Sequence, residues 1–360
     1  MAQLRLNNWN ENGLVTISVD AMGGDFAPHN AVIGAIDAYK EAKDFDLFLV
    51  GKTDEIKEVI QKNNLRFNSD FIIDAEQVID MHDHPTETMK TKPNSSMAVG
   101  AKLVKDGKAH AFVSAGNTGA MVVNSIFGMG RIKGVSRPTL TAPLPNSNDG
   151  FTFLADVGAF VDSKPQHIFE FALLSSILLR EIYGIKNPRV GLINVGEEDS
   201  KGYKLTTDTA KLLRDSDLNF IGNVEGNDIF KGTADLIVCD GFIGNILLKF
   251  AESMPKFLKS AISNYANKSI GNKLRVAPFK FPPTKRAFKE SLSKADPDNV
   301  GGLPLLGVNG ISIVGHGSSS VLAIKNMVLA ARTMHNKNLI LKELQIRLRI
   351  KSTGFSEEPS

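Results

Sequence analysis

The sequence predicts an α/β fold built on a mostly parallel sheet covered on both faces, and three observations predict it. Short apolar runs rich in Val and Ile recur along most of the 360 residues. Apolar residues at helical spacing fill the stretches between them. Several runs close on Gly or Asp, as strands do where they turn into helices. Ligands of such folds bind at the carboxyl ends of strands.

Taken in order, strands are expected at 14–19, 45–50, 71–73, 110–113, 151–155, 189–194, 220–224, 236–239 and 311–314. After the first, Val32, Ala35, Ile36 and Tyr39 recur at helical spacing, and Pro28 fits the first turn. Thr53 is the expected cap of a helix over 54–61, with Ile56, Val59 and Ile60 on one face. Met97, Ala101 and Val104 mark another helix, which Gly107 ends. From Ser318 to about Ile350 the pattern is that of one or two terminal helices. Residues 249–294 break the alternation with Pro255, Pro278, Pro282 and Pro283 and read as irregular or only partly helical. The expectation is one domain over 14–350 carrying that stretch as an insertion, with flexible ends at 1–13 and 351–360.

Composition narrows the class of protein. With 42% hydrophobic and 22% charged residues the chain buries a sizeable core and is not compositionally disordered. A single cysteine, Cys239, excludes a disulfide framework and Cys-rich zinc or iron–sulfur sites, and a reducing cytoplasm is the expected compartment. No apolar run approaches the roughly 20 residues that cross a bilayer, and the polar start lacks the order of a secretory signal. The formal charge of +3 is uneven: residues 249–294 hold eleven Lys/Arg against two acids, a local +9 that leaves −6 for the rest.

Five strand-end loops hold the candidate chemistry. Val19-Asp20-Ala21-Met22-Gly23-Gly24-Asp25 pairs two glycines, which either bring backbone N–H groups onto an anion at a helix start or only make the turn. It is neither a dinucleotide fingerprint nor a Walker loop, lacking the third glycine of one and the Gly-Lys-Ser/Thr of the other. Ser114-Ala115-Gly116-Asn117-Thr118-Gly119-Ala120 is rich in uncharged donors that suit phosphate oxygens or a developing oxyanion; its other reading is a glycine-rich cap on a packed helix. In Asn194-Val195-Gly196-Glu197-Glu198-Asp199-Ser200-Lys201-Gly202, the lysine neutralises a phosphate, polarises a carbonyl, or is solvated beside its acids. Asp240-Gly241-Phe242-Ile243-Gly244-Asn245 opens a helix, and Asn245 either donates to an oxyanion or caps that helix. His316, flanked by glycines in the loop after the last strand, is a further candidate for ligand contact.

Other chemistries lack a signature. Cys239 closes an apolar strand run and reads as a small buried hydrophobe rather than a nucleophile. No HExxH, paired His/Cys spacing or EF-hand loop marks a metal site, and no G-x-S-x-G marks a serine hydrolase. Anion-binding loops with few candidate bases favour a direct transfer, in which positioning and electrostatics do most of the catalysis.

Together with Pro93-Asn94-Ser95-Ser96-Met97, Gly130-Arg131-Ile132-Lys133-Gly134, Arg137-Pro138, Asp156-Val157-Gly158-Ala159 and Phe220-Ile221-Gly222-Asn223-Val224-Glu225, these loops resemble the bacterial phosphate acyltransferase family, PlsX, in the family's order from about Val15 to Arg332. The resemblance implies a three-layer α/β/α, Rossmann-like fold similar to isocitrate and isopropylmalate dehydrogenases and to phosphotransacetylases. It implies transfer of a long acyl group from acyl carrier protein to inorganic phosphate, giving acyl phosphate for glycerophospholipid synthesis. It also implies a homodimer in peripheral contact with an anionic membrane, with no cofactor, metal or nucleic-acid partner. Carried over by position, Lys201 and Asn245 match the family's catalytic pair. Asp20, Gly23, Gly24, Asp25, Ser114, Gly116, Asn117, Thr118, Gly119, Asn194, Gly196, Gly244 and His316 are the expected phosphate and substrate contacts. At Phe160 the family usually has Asn, so any polar contact from that position is lost; the ring either packs in the core, the expected role, or touches the acyl group.

The basic stretch has two functional readings and a bland one. Lys256, Phe257, Leu258, Lys259, Lys268, Lys273 and Arg275 are the expected contacts to an acidic carrier or to anionic lipid; otherwise the stretch is a solvated flap. Competing functions are a phosphotransacetylase acting on acyl-coenzyme A, a decarboxylating dehydrogenase, for which no metal-binding carboxylate cluster is evident, and a membrane-docked scaffold without activity.

Overall fold

All nine expected strands form, displaced by no more than one residue at either end, in a computed structural model that describes residues 14–276 and 297–337. They are β1 (Val15–Asp20), β2 (Phe45–Gly51), β3 (Ile72–Asp74), β4 (Ala111–Ser114), β6 (Phe151–Ala155), β7 (Val190–Ile193), β8 (Phe220–Val224), β9 (Leu236–Val238) and β11 (Ile311–Val314). Two further strands, β5 (Thr139–Pro145) and β10 (Leu303–Leu306), complete an eleven-stranded sheet in the order β3-β2-β1-β4-β11-β10-β5-β6-β9-β7-β8. Both carry proline, which usually argues against a central strand. Their overlap explains the exception: β10 and β5 pair only through Leu305 with Leu140 and Leu306 with Thr139. Pro143 and Pro145 lie beyond that overlap and have only β6 as neighbour, so each sits at a local edge where a missing N–H is tolerated.

The helices are α1 (His29–Glu41), α2 (Thr53–Lys62), α3 (Pro85–Thr91), α4 (Ser96–Lys105), α5 (Thr118–Met129), α6 (Pro165–Glu181), α7 (Lys204–Arg214), α8 (Asp228–Lys231), α9 (Gly241–Asn267), α10 (Ile270–Val276), α11 (Pro297–Val300) and α12 (Val321–Asn336). They cover both faces. Along β4, Ala111 and Val113 enter the core shared with α1, α6 and α12, whereas Phe112 enters the one shared with α4 and α5. Every residue of β1 is buried, as a strand covered on both sides requires, and each large apolar side chain so buried contributes roughly 1.5–3 kcal/mol.

Thr53 is not a cap: it is the first residue of α2, and its hydroxyl bonds Asp74 Oδ1 at 2.6 Å. Ser95 caps α4, whose end Gly107 closes in the left-handed region. The terminal helical pattern is realised as α12; residues 338–350 of it lie outside the described residues, as do both expected flexible ends. The basic stretch is helical as far as it is described, with Pro255 inside the 27-residue α9. One lost backbone bond is outweighed by a helix long enough to propagate on both sides of it. Pro278, Pro282 and Pro283 fall outside the described residues. Among the described residues no helix is long and apolar enough to cross a membrane.

The sheet's strand directions place the ligand-binding ends. β3, β2, β1, β4 and β11 are parallel, as are β6, β9, β7 and β8, but the antiparallel β10 and β5 between them set the two groups in opposite senses. Five strand steps separate β4 from β9. A twisted sheet rotates by roughly 20–25° at each such step.

Candidate active site

At the ends of β1, β4 and β11 the loops interlock. Asp20 is buried and accepts from Ser114 Oγ at 2.7 Å and from the Met22 N–H at 3.0 Å, with Ser96 and the Gly23 N–H also bonded to it. Burial pushes its carboxyl up, against the pull of those bonds. Gly23 admits no side chain, since a Cβ would stand 2.6 Å from Asp20 Oδ2 and 2.9 Å from the Gly116 nitrogen. The Gly116 N–H donates to Ser114 Oγ, and the Asp25 N–H donates to the Gly317 carbonyl. Asn117 caps α5 through its oxygen on the Ala120 N–H, while its amide N–H groups reach the carbonyls of Met81 at 3.1 Å and Asp83 at 3.2 Å. Asp25, Thr118 and His316 face outward, the histidine with Nδ1 against Ser318 Oγ at 2.8 Å.

A second constellation forms at the ends of β6, β9 and β7. Asp156 is buried and holds its own loop, accepting the N–H groups of Gly158, Ala159 and Phe160 at 2.9–3.2 Å. Burial is the larger influence on it and lifts its pKa to about 6. Gly158 lies against Asn245, and Gly244 lies against the Asp156 carbonyl so closely that a Cβ would be 1.8 Å from it. Asp240 caps α9 with Oδ1 on the Phe242 and Ile243 N–H groups, both at 3.0 Å. Those N–H groups are therefore spoken for, and the half-buried Asn245 amide has no hydrogen-bond partner among the described residues.

Lys201 sits in a loop fastened from within. Asn194 Nδ2 donates to the Lys201 carbonyl at 2.9 Å, Asn223 Nδ2 donates to the Glu198 carbonyl at 3.1 Å, and the Lys201 stem passes over Gly196. Gly202, at φ +95°, makes the turn that follows. The Lys201 ammonium is exposed and has no ion-pair or hydrogen-bond partner among the described residues. A fixed backbone thus presents an unengaged cation and, in the same constellation, an unengaged amide.

The expected contacts divide accordingly. Asp20, Gly23, Gly24, Asp25, Ser114, Gly116, Asn117, Thr118, Gly119 and His316 gather in the first group. Asn194, Gly196, Lys201, Gly244 and Asn245 gather in the second. No side-chain hydrogen bond joins the groups among the described residues. Sequence reasoning did not single out Asp156, though its motif was in view, nor Tyr203, whose hydroxyl donates to Asp240 Oδ2 at 3.1 Å. Burial, then the charge of Asp240, pushes that phenol up to about 12, so it stays a donor. The loop of Met81 through Pro85, which packs on Gly317 and Gly119, carried no local signal either.

Phe160 is half-buried, and its ring carries the Arg137 guanidinium 4.8 Å from the centroid while Arg137 bonds Asp162. Cys239 is buried, and burial holds its thiol well above the ordinary range, which leaves no thiolate for attack. On α9 and beyond, Lys256, Phe257, Leu258, Lys259, Lys268, Lys273 and Arg275 are all exposed. Phe242, Ile246, Phe250 and Phe257 form an exposed apolar stripe along that helix, beginning beside Asn245.

The profile of a family described as fatty acid synthesis protein matches residues 15–342. A phosphate acyltransferase of Chlorobaculum parvum is 44% identical over 332 residues, spanning 89% of this chain and 95% of that one. One of Halothermothrix orenii is 40% identical over 329 residues, spanning 90% and 96%. The chain belongs to the phosphate acyltransferase family. As a phosphate acyltransferase it is an acyl-transferring enzyme with phosphate as a substrate. Its fold is also that of phosphotransacetylases: the Streptococcus pyogenes structure superposes with a TM-score of 0.58 at 16% identity, over 93% of this chain and 98% of that one. The Staphylococcus aureus EutD phosphotransacetylase gives 0.58 at 15% identity, over 92% and 98%.

Proposed function

We propose that this phosphate acyltransferase takes its acyl group from acyl carrier protein and delivers acyl phosphate to phosphatidic acid and glycerophospholipid synthesis. The observation that carries the mechanism is the pair of polar heads, the Lys201 ammonium and the Asn245 amide, left without a hydrogen-bond partner among the described residues on loops tied internally by Asn194, Asn223 and Asp240. Lys201 holds a phosphate dianion and aims one oxygen at the thioester carbon. Asn245 donates to the carbonyl oxygen as it becomes anionic. A C–O bond forms, the C–S bond breaks, the thiolate of the carrier leaves, and the remaining phosphate proton passes to that sulfur or to solvent. The sealed Cys239 supports direct attack without an acyl-enzyme.

The exposed cations of α9 and α10 favour an acidic carrier, and the apolar stripe beside them favours a lipid surface as the resting place of a cytoplasmic enzyme on the inner face of the membrane. A homodimer is expected, and sedimentation of the purified protein checks it. The deciding assay mixes purified protein with phosphate and either acyl-acyl carrier protein or acyl-coenzyme A and traps acyl phosphate. Product from the carrier thioester alone is expected. Product from coenzyme A alone supports a phosphotransacetylase, and product from neither supports a scaffold. The Michaelis constant for carrier and the binding to anionic vesicles should both weaken as salt rises; indifference of both removes the electrostatic role of the basic helices.

A further inference from the structure

The contacts around Lys201 and Asn245 converge on one hydrogen bond. Residues 194–203 are tied to their own strand neighbours by Asn194 and Asn223, and α9 is tied to Asp240 by its cap. Among the described residues, the only side-chain hydrogen bond between that loop and residues 239–250 is Tyr203 Oη to Asp240 Oδ2, at 3.1 Å. Tyr203 is fixed at both ends. Its carbonyl accepts the first bonds of α7, from the Thr206 N–H at 2.9 Å and Thr206 Oγ1 at 2.8 Å. Its hydroxyl meets the carboxylate that caps α9. With half of its surface exposed, Tyr203 adds little to the core, so packing does not account for the contact.

We propose that Tyr203 is a positioning residue, whose hydrogen bond to Asp240 holds the lysine loop in register with the helix that carries Asn245. The inference rests on the assignment of phosphate to Lys201 and of the thioester oxygen to Asn245. Two groups on separate loops act on one transition state only while their spacing is kept, and a displacement of about 1 Å costs up to roughly 100-fold in rate. The phenol sets that spacing without touching substrate.

Tyr203→Phe removes the hydroxyl and keeps the ring. Its kcat for acyl phosphate should fall roughly 10- to 100-fold, with the KM for carrier and the unfolding midpoint little changed. Asp240→Ser keeps a cap but is too short to reach Tyr203, and should fall comparably. The double variant should be no worse than either single one, because one bond is lost in all three. Asp240→Asn keeps the cap oxygen and offers an N–H to the phenol oxygen, so it should recover most of the rate. Amide exchange gives a readout independent of turnover: in Tyr203→Phe the amides of 194–203 should exchange several-fold faster, and those of 156–160 should not. Unchanged kcat or unchanged exchange in a folded Tyr203→Phe overturns the proposal. Failure of the wild type to form acyl phosphate overturns the assignment of chemistry instead, and the exchange result then still decides whether Tyr203 holds the loop.

Discussion

Asp20 and Asp156 occupy equivalent places in the two parallel groups of strands, each buried at the end of a strand and each beneath a glycine loop, yet they are wired differently. Asp20 is bonded by side chains from elsewhere, Ser114 at the end of β4 and Ser96 at the start of α4, as well as by its own loop. Asp156 takes three N–H bonds from its own loop and one more from the Leu140 backbone on β5, with no side-chain donor among the described residues. The first group is therefore closed upon itself, with Asn117 adding a cap and a grip on the loop at Met81 and Asp83. In the second, each loop is rigid internally, and the joint between them is left to single contacts such as Tyr203 with Asp240. Internal pairing stabilises but leaves nothing over for substrate. In the second group the Lys201 ammonium and the Asn245 amide are among the polar groups left without a partner, as is the buried Asn223 Oδ1.

Loss of those two heads should have the largest effect. Lys201→Ala and Asn245→Ala should each lower kcat by about 10²–10³ if each removes one transition-state contact, with folding intact by circular dichroism. Near-normal turnover in folded Lys201→Ala would sink the assignment and with it the contrast between the groups. A smaller but still severe effect is expected from Gly244→Ala. The added methyl meets the Asp156 carbonyl, and overpacking of this kind costs about 1–3 kcal/mol, read as a lower urea midpoint alongside weaker turnover as Asn245 is displaced. Next comes Asn117→Ala, which loses a helix cap and should cost about 1–2 kcal/mol of stability, with turnover of the folded protein within about tenfold of wild type. A hundredfold fall in kcat without loss of stability would show that Asn117 works on substrate, and that the first group is less closed than its hydrogen bonds imply.

How much of this was legible in the sequence follows the same division. Short apolar runs located nine strands because buried parallel strands need little beyond Val, Ile and a closing Gly or Asp. β5 and β10 were hidden by Pro143, Pro145 and Pro304, whose tolerance depends on how far neighbouring strands overlap, which no local pattern records. The strand-end loops were legible as donor-rich segments, but not the direction in which their donors point. Asn117 and Ser114 looked as available as Asn245; what occupies them comes from the loop at Met81 and from β1. Tyr203 was invisible because its meaning lies in Asp240, on another strand end. Lys201 and Asn245 were candidates in their own strand-end loops, the family resemblance singled them out, and the geometry adds a reason for them, that they remain unengaged.

The smallest expected effect is the one that most sharpens the comparison of the two aspartates. Burial lifts Asp156 from its ordinary value to about 6 while its loop's N–H groups pull the other way. The folded protein then binds a proton that the unfolded chain has already released, so stability falls as pH rises between the unfolded value near 3.8 and about 6, and levels off above. From about pH 5.5 to 7.5 the change should be somewhat under about 1 kcal/mol. Asp156→Asn cannot titrate, so the difference in urea midpoint between wild type and this variant should slope downward with pH over that interval and be flat above pH ~7, whatever constant offset the altered loop contacts introduce. A difference flat throughout would mean that the backbone N–H bonds outweigh burial and keep Asp156 ionised. Both aspartates would then be stabilised anions differing only in where their donors come from, and the openness of the second group would rest on the Tyr203 joint alone.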